Sequence, residues 1–124
     1  YIMSKSIIKE FLGNELFANV LVVGLDGKLV AYNKLPEPGE VETMLNNYKK
    51  QKKFESIKLM GENYNIYVKD KSKVFGHSDT KGCIVVRANK VFIVGIFPKK
   101  QDVSPRLSCL DHYSQLFDSQ IEPI

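Results

Sequence analysis

Cys109 and His112 are the two residues whose types and spacing most resemble a nucleophilic pair, because a thiol beside an imidazole can be held as a thiolate. Three residues apart, they share one side of a helix. Such a pair also needs a group to orient the imidazole, and Asp111, its neighbour in sequence, points about 100° away from it on a helix. Cys109 therefore reads as a small helix residue and Cys83 as a buried strand residue. His77 follows Gly76 in a stretch with Ser78, Asp79 and Thr80, where no further ligands gather, so it reads as a turn residue and no metal is expected. Gly24-Leu25-Asp26-Gly27 lacks the GxGxxG pattern, and the chain has no Walker A loop, HExxH or G-x-S-x-G. No catalytic residue and no cofactor are expected, and the chain reads as a binding protein rather than an enzyme.

Charge offers more. Sixteen lysines and two arginines outnumber fourteen acids, a net +4. Thirteen of those cations fall between Lys49 and Lys100 beside only four acids, so that half carries a surplus of nine and the rest is acidic. Such a field steers an acidic partner toward the second half. The near absence of Arg argues against nucleic acid, where bidentate contacts favour guanidinium groups. Tyr32, Tyr48, Tyr64, Tyr67 and Tyr113 are scattered over different elements and read as packing residues, not a base-stacking platform.

The scaffold that must carry these residues is small. At 124 residues, 44% hydrophobic and 26% charged, the chain suits one globular domain spanning 1–124 and is too apolar for disorder. Its longest apolar runs, Val20 to Leu25 and Val91 to Phe97, are far short of the ~20 residues of a membrane span. Residues Tyr1 to Lys5 show no secretory pattern. Two cysteines in no metal spacing favour a reducing, cytoplasmic setting.

Ser4 to Leu12 has the periodicity of a short amphipathic helix closed by Gly13. Leu16 to Leu25 and Lys28 to Asn33 form a hairpin about Asp26-Gly27. Val41, Met44, Leu45 and Tyr48 then mark a helix with acids in its first turn and lysines in its last. A Gly61-Glu62-Asn63 turn joins Ile57–Met60 to Tyr64–Lys69, with Tyr64, Ile66 and Val68 expected on one face. Lys73–Gly76, Gly82–Ala88 and Val91–Phe97 complete the strands. Ser104-Pro105 opens a final helix with Leu107, Leu110, Ser114 and Phe117 inward, and the tail from Asp118 is expected to fray. The order α-β-β-α-β-β-β-β-β-α with short turns implies an antiparallel sheet flanked by helices, an α+β fold.

The segment from Leu16 to Ala31, with its apolar run, Asp-Gly turn and return strand behind a short helix, resembles the first hairpin of profilins. Gly61 to Tyr67, Val74-Phe75-Gly76, Lys81 to Val86 and Val91 to Phe97 resemble the successive later strands, followed by a Pro-initiated helix at Pro105. The resemblance covers nearly the whole chain in order. It implies a central sheet of about seven strands, with the N- and C-terminal helices on one face and a middle helix on the other.

It also implies a cytoplasmic, cytoskeleton-associated monomer that binds monomeric actin, regulating polymerisation by sequestering or delivering subunits and by controlling nucleotide exchange. The implied actin-facing residues are Lys73, Val74, His77, Lys81, Arg87 and Lys90 on the strands and Arg106, Cys109 and Tyr113 on the last helix. The family's proline-rich ligands stack between aromatic residues of the terminal helices. This chain has no Trp, and Ser4 and Ile7 stand where the first aromatic pair is expected; Phe11, Tyr113 and Phe117 are the candidate substitutes, of which Phe11 and Phe117 fit the core stripes better. Weak or absent binding of proline-rich proteins follows, as does a divergent profilin, from an early-branching eukaryote or an archaeal lineage. Lys49, Lys50, Lys52, Lys53, Lys99 and Lys100 are the implied contacts for phosphoinositide headgroups. The competing readings are a roadblock- or longin-like module for small GTPases, which would dimerise, and a basic phosphoinositide-binding module.

Overall fold

The computed structural model describes residues 5–49, 55–70 and 72–120. Its elements run α1 (Lys5–Leu12), β1 (Asn19–Gly24), β2 (Leu29–Tyr32), α2 (Glu40–Lys49), β3 (Ser56–Leu59), β4 (Glu62–Lys69), β5 (Lys73–His77), β6 (Lys81–Arg87), β7 (Val91–Pro98) and α3 (Val103–Gln120). All strand pairs are antiparallel, and the seven strands form one sheet in the order β2-β1-β7-β6-β5-β4-β3.

The burial pattern follows from strand composition. β7 is apolar at nearly every position and buried from Val91 to Phe97. Alternate side chains point to opposite faces, so such a strand needs cover on both. α1 and α3 cover one face, packing Phe11, Leu110 and Phe117 against Val20, Val22, Ile84 and Ile93. Val41, Met44 and Leu45 of α2 cover the other, against Leu21, Val23, Val85 and Val94. The expected layering is present.

Two bulges break the alternation. In β4, Ile66 lies opposite Gly76 and Val68 opposite Phe75, leaving Tyr67 as an extra residue. Tyr64 is therefore buried on the α2 side while Val68 turns away and is 43% exposed, so the three residues expected on one face do not share it. In β2, Ala31 lies opposite Val22 and Leu29 opposite Val23, leaving Val30 extra.

Other boundaries shift for local reasons. β1 begins at Asn19, because Leu16 and Phe17 leave the ladder and the Phe17 ring lies over Gly95, where a Cβ would stand 2.5 Å from its Cε1. α3 starts one residue before Ser104 and keeps Pro105 within the first turn, where its missing N–H costs nothing. It runs past Asp118 because that carboxylate accepts the N–H groups of Asn89 and Lys90 at 3.0 and 3.1 Å, which holds the end of the helix to the β6–β7 turn.

The β3–β4 turn is tighter than its composition implies. Met60 and Gly61 are its central residues, with φ of 52° and 81°, so Glu62 and Asn63 already belong to β4. Positive φ costs a residue with a side chain on the order of 1 kcal/mol. The offset comes from Glu40, buried at the start of α2, whose two carboxylate oxygens accept the N–H groups of Met60 and Gly61, each at 2.8 Å. Charged hydrogen bonds of this kind contribute roughly 1.5–3 kcal/mol apiece. Glu40→Ala is expected to lower the unfolding free energy by about 2–4 kcal/mol in urea denaturation. A loss below about 0.5 kcal/mol would show that the turn holds its shape without this carboxylate.

Candidate protein interface

α3 lies across β7 and β6, and α1 packs toward β2. On the same face, the side chains of β4 and β5 beyond the flank of α3 stay open. Asn65, Tyr67 and Val68 are exposed there, with Phe75 and His77 half-buried beside them. The Tyr67 ring stacks on Phe75 at 6.3 Å and meets His77 edge-on at 5.1 Å. These rings hold one another in place, which lowers the entropy lost when a partner covers them.

A hollow joins this strip to the start of α3. It is lined by Tyr67, His77, Gly82, Phe97, Lys99 and Val103. A Cβ at Gly82 would lie 2.9 Å from the Phe97 ring paired with it across the strands, so a side chain there would displace that ring. Farther along α3, Asp111 pairs with Lys73 of β5 at 3.6 Å, with Leu107 one turn before it. The arrangement is an aromatic strip and a shallow hollow, with Lys73, His77 and Lys99 around them. It suits docking of a protein surface.

Of the residues the sequence nominated, Lys73 and His77 belong to this surface. The others do not join them. Val74 is fully buried in the α2-side core, one position out of phase with its neighbours. Lys81 and Arg87 alternate with Cys83 and Val85 and so fall on the α2 side of β6. Lys81 lies 3.9 Å from Glu62, and the Arg87 guanidinium sits 6.0 Å above the Phe92 ring at the other end of the strand. Lys90 is in the β6–β7 turn held by Asp118.

Arg106, Cys109 and Tyr113 turn inward. Arg106 is buried and ties the start of α3 to the segment before β1. Its Nε donates to the Leu16 carbonyl at 2.9 Å, its Nη1 to the Asp102 carbonyl at 2.8 Å and its Nη2 to Gln101 Oε1. The Tyr113 hydroxyl donates to Glu10 Oε1 at 2.9 Å, and Asn14 Nδ2 donates to Cys109 Sγ at 3.1 Å, so both residues belong to the seam between α1 and α3. The nine nominated residues therefore make no single platform. The correction has one cause: strand alternation sends neighbours to opposite faces, and helix periodicity sends every third or fourth residue into the core.

Tyr67, Phe75 and Val103 belong to this candidate surface and were not nominated from the sequence. The adjacent pair Tyr67-Val68, apolar where β4 should alternate, is the trace the bulge leaves in the sequence. Among the described residues no three His, Cys, Asp or Glu side chains gather as a metal site, and no helix is long and apolar enough to cross a membrane.

A family model for profilin matches residues 3–119 of the sequence. The chain belongs to the profilin family. No curated protein matches it. Among solved structures, LokiProfilin2 in its complex with rabbit actin superposes with a TM-score of 0.80 at 15% identity, covering 96% of this chain and 100% of that one. LokiProfilin1, also in complex with rabbit actin, gives 0.78 at 15% identity over 96% and 98%. Acanthamoeba castellanii profilin IA gives 0.77 at 17% identity over 93% and 98%. At these identities the likeness is one of fold.

The residues nominated for a proline-rich ligand are not gathered on the surface among the described residues. Phe117 is fully buried beneath Phe11 and Tyr113, Ile7 packs against the same core, and Ser4 lies outside the described residues. Of the lysines nominated for phosphoinositides, Lys99 and Lys100 are exposed just after β7. Lys50, Lys52, Lys53 and the side chain of Lys49 lie outside the described residues.

Burial pushes the Cys109 thiol up, the Asn14 hydrogen bond opposing it, which disfavours the thiolate that a nucleophile needs. Alkylation of Cys109 by iodoacetamide is expected to be slow at pH 7.5 and to keep rising above pH 9; a rate plateau below pH 8 would contradict this environment. Burial, and then the hydrogen bond to Glu10, push the Tyr113 phenol up to about 12. The folded state then holds a proton that the unfolded chain releases near its ordinary value of 10.0. Stability from this group is complete below that pH and is lost as the pH climbs toward 12. Denaturant midpoints should fall across that interval in the parent and fall less in Tyr113→Phe.

Proposed function

We propose that this chain binds monomeric actin through the open strip of β4 and β5 together with the first turns of α3. The observation that carries the reading is the aromatic strip itself: Tyr67 ordered against Phe75 and His77 on the part of the sheet left uncovered in a profilin. Lys73 and Lys99 beside the strip support it, because actin is acidic. Two solved structures with the same fold are profilins in complexes with rabbit actin.

Binding would withhold monomers from nucleation, or deliver them, and control nucleotide exchange on them. The chain itself supplies no chemistry in this scheme, with the Cys109 thiolate disfavoured and its sulfur bonded to Asn14. It acts as a single monomeric domain in the cytoplasm, where its ligand is found. Proline-rich tracts bind weakly or not at all, given the burial of Phe117. Lys99 and Lys100 would meet anionic headgroups by simple electrostatics, a contact that weakens with salt.

The test is polymerisation of a cognate actin followed by light scattering, with this protein in molar excess. The parent protein is expected to slow nucleation. The double variant Tyr67→Ala, His77→Ala should need at least about tenfold more protein for the same effect, the range for losing a central aromatic contact. Arg87→Glu, at the far end of β6 and on the other face, should stay within about twofold. Unchanged kinetics with the parent would overturn the actin reading. Equal potency of parent and double variant would overturn the placement of the site.

A further inference from the structure

The cations beside the open strip differ in what surrounds them. Lys99 stands at the hollow, whereas Lys73 is held by a carboxylate from another element. Lys73, Phe75 and His77 alternate with the buried Val74 and Gly76 along β5 and share the face of the strip, a run of about 13 Å at 3.3 Å per residue. A standard interface covers about 800 Å² of each partner, so one centred on the Tyr67 and His77 rings reaches Lys73 at its rim. There Lys73 Nζ lies 3.6 Å from Asp111 Oδ2, joining β5 to the flank of α3. The two side chains are 31% and 39% exposed, open to a partner.

A half-exposed ion pair adds little to stability. α3 is already fixed to the sheet by Leu110 and Phe117, by Arg106 and by Asp118. What the pair governs is the ammonium group, because an Nζ closed on Asp111 is not free to reach a carboxylate of an acidic partner. The other acid near Lys73, Asp70, commits its Oδ1 to the backbone N–H groups of Ser72 and Lys73 at 2.8 and 2.7 Å, and so shapes the β4–β5 turn. Asp111 instead spends its charge on a side chain that a partner can claim.

We propose, on the basis of the actin site above, that Asp111 is a positioning residue for Lys73: it holds the ammonium against α3 and sets the strength of actin binding below what the same surface reaches with Lys73 released. Carboxylates of actin must displace or share Asp111 before they gain Lys73. A charge at an interface rim acts mainly on the association rate and its salt dependence. Removing this carboxylate therefore strengthens binding, the reverse of losing a contact residue such as Tyr67.

The experiment follows association of the full chain with fluorescently labelled monomeric cognate actin by stopped flow, from low ionic strength to about 0.5 M salt. Asp111→Asn is expected to associate about three- to tenfold faster than the parent at low ionic strength, a gain that falls below about twofold at high salt. Lys73→Met alone should change the rate by less than about twofold, and in the double variant it should remove most of the gain, the non-additivity of two groups in contact. Glu42→Gln makes the same charge change on the exposed side of α2, across the sheet, and should stay within about twofold of the parent. An Asp111→Asn rate equal to or below the parent's, a gain that survives high salt, or an equal gain in the Lys73→Met background would overturn the proposal and leave the actin reading standing. So would an equal gain from Glu42→Gln, since net charge alone would then be acting. No association by the parent would overturn both.

Discussion

A sheet has two faces, and three helices do not cover both faces of seven strands. The rest of the molecule is arranged around that shortfall. β1, β6 and β7 are apolar on both sides and must lie where helices cover both, which places them at the centre. β3 and β4 are apolar on one side only and can stand at the edge with α2 beneath them. The strip beyond the flank of α3 is what remains open, and there the Tyr67, Phe75 and His77 rings order one another.

The polar contacts hold this arrangement in register. Glu40 binds the Met60-Gly61 turn to α2, Asp118 binds the β6–β7 turn to the end of α3, and Arg106 binds the start of α3 to the chain before β1. Each is a side chain satisfying backbone groups far away in sequence that secondary structure leaves unpaired. The last two fix where α3 sits on the sheet, and so how much of β5 it leaves open. The same helix turns every third or fourth residue inward, which is why Cys109 and Tyr113 serve its seam with α1.

Two bulges give the surface its character. An extra residue in β4 presents Tyr67 and Val68, and one in β2 presents Leu29 and Tyr32. In both strands the bulge breaks the rule that would have paired a buried residue with an exposed one. An irregularity of backbone spacing thus becomes a pattern of exposed apolar groups at opposite ends of one sheet.

The order of elements and the antiparallel sheet were legible in the sequence, because periodicity of 2 or 3.6 and turn residues are local properties, and the family was legible as a resemblance of successive segments. The lysine surplus of the later strands was legible too, since charge is additive along a chain. Which cations share a face was not. Lys73 and His77 share the face of the open strip while Lys81 and Arg87 sit on the other side of the sheet, a separation set by strand register. The inward turn of Arg106, Cys109 and Tyr113 depended on where α3 docks, and the exposure of Tyr67 on one unpaired residue in β4. Local pattern determines what each segment becomes; only the packing of segments against one another decides which of their side chains meet a partner.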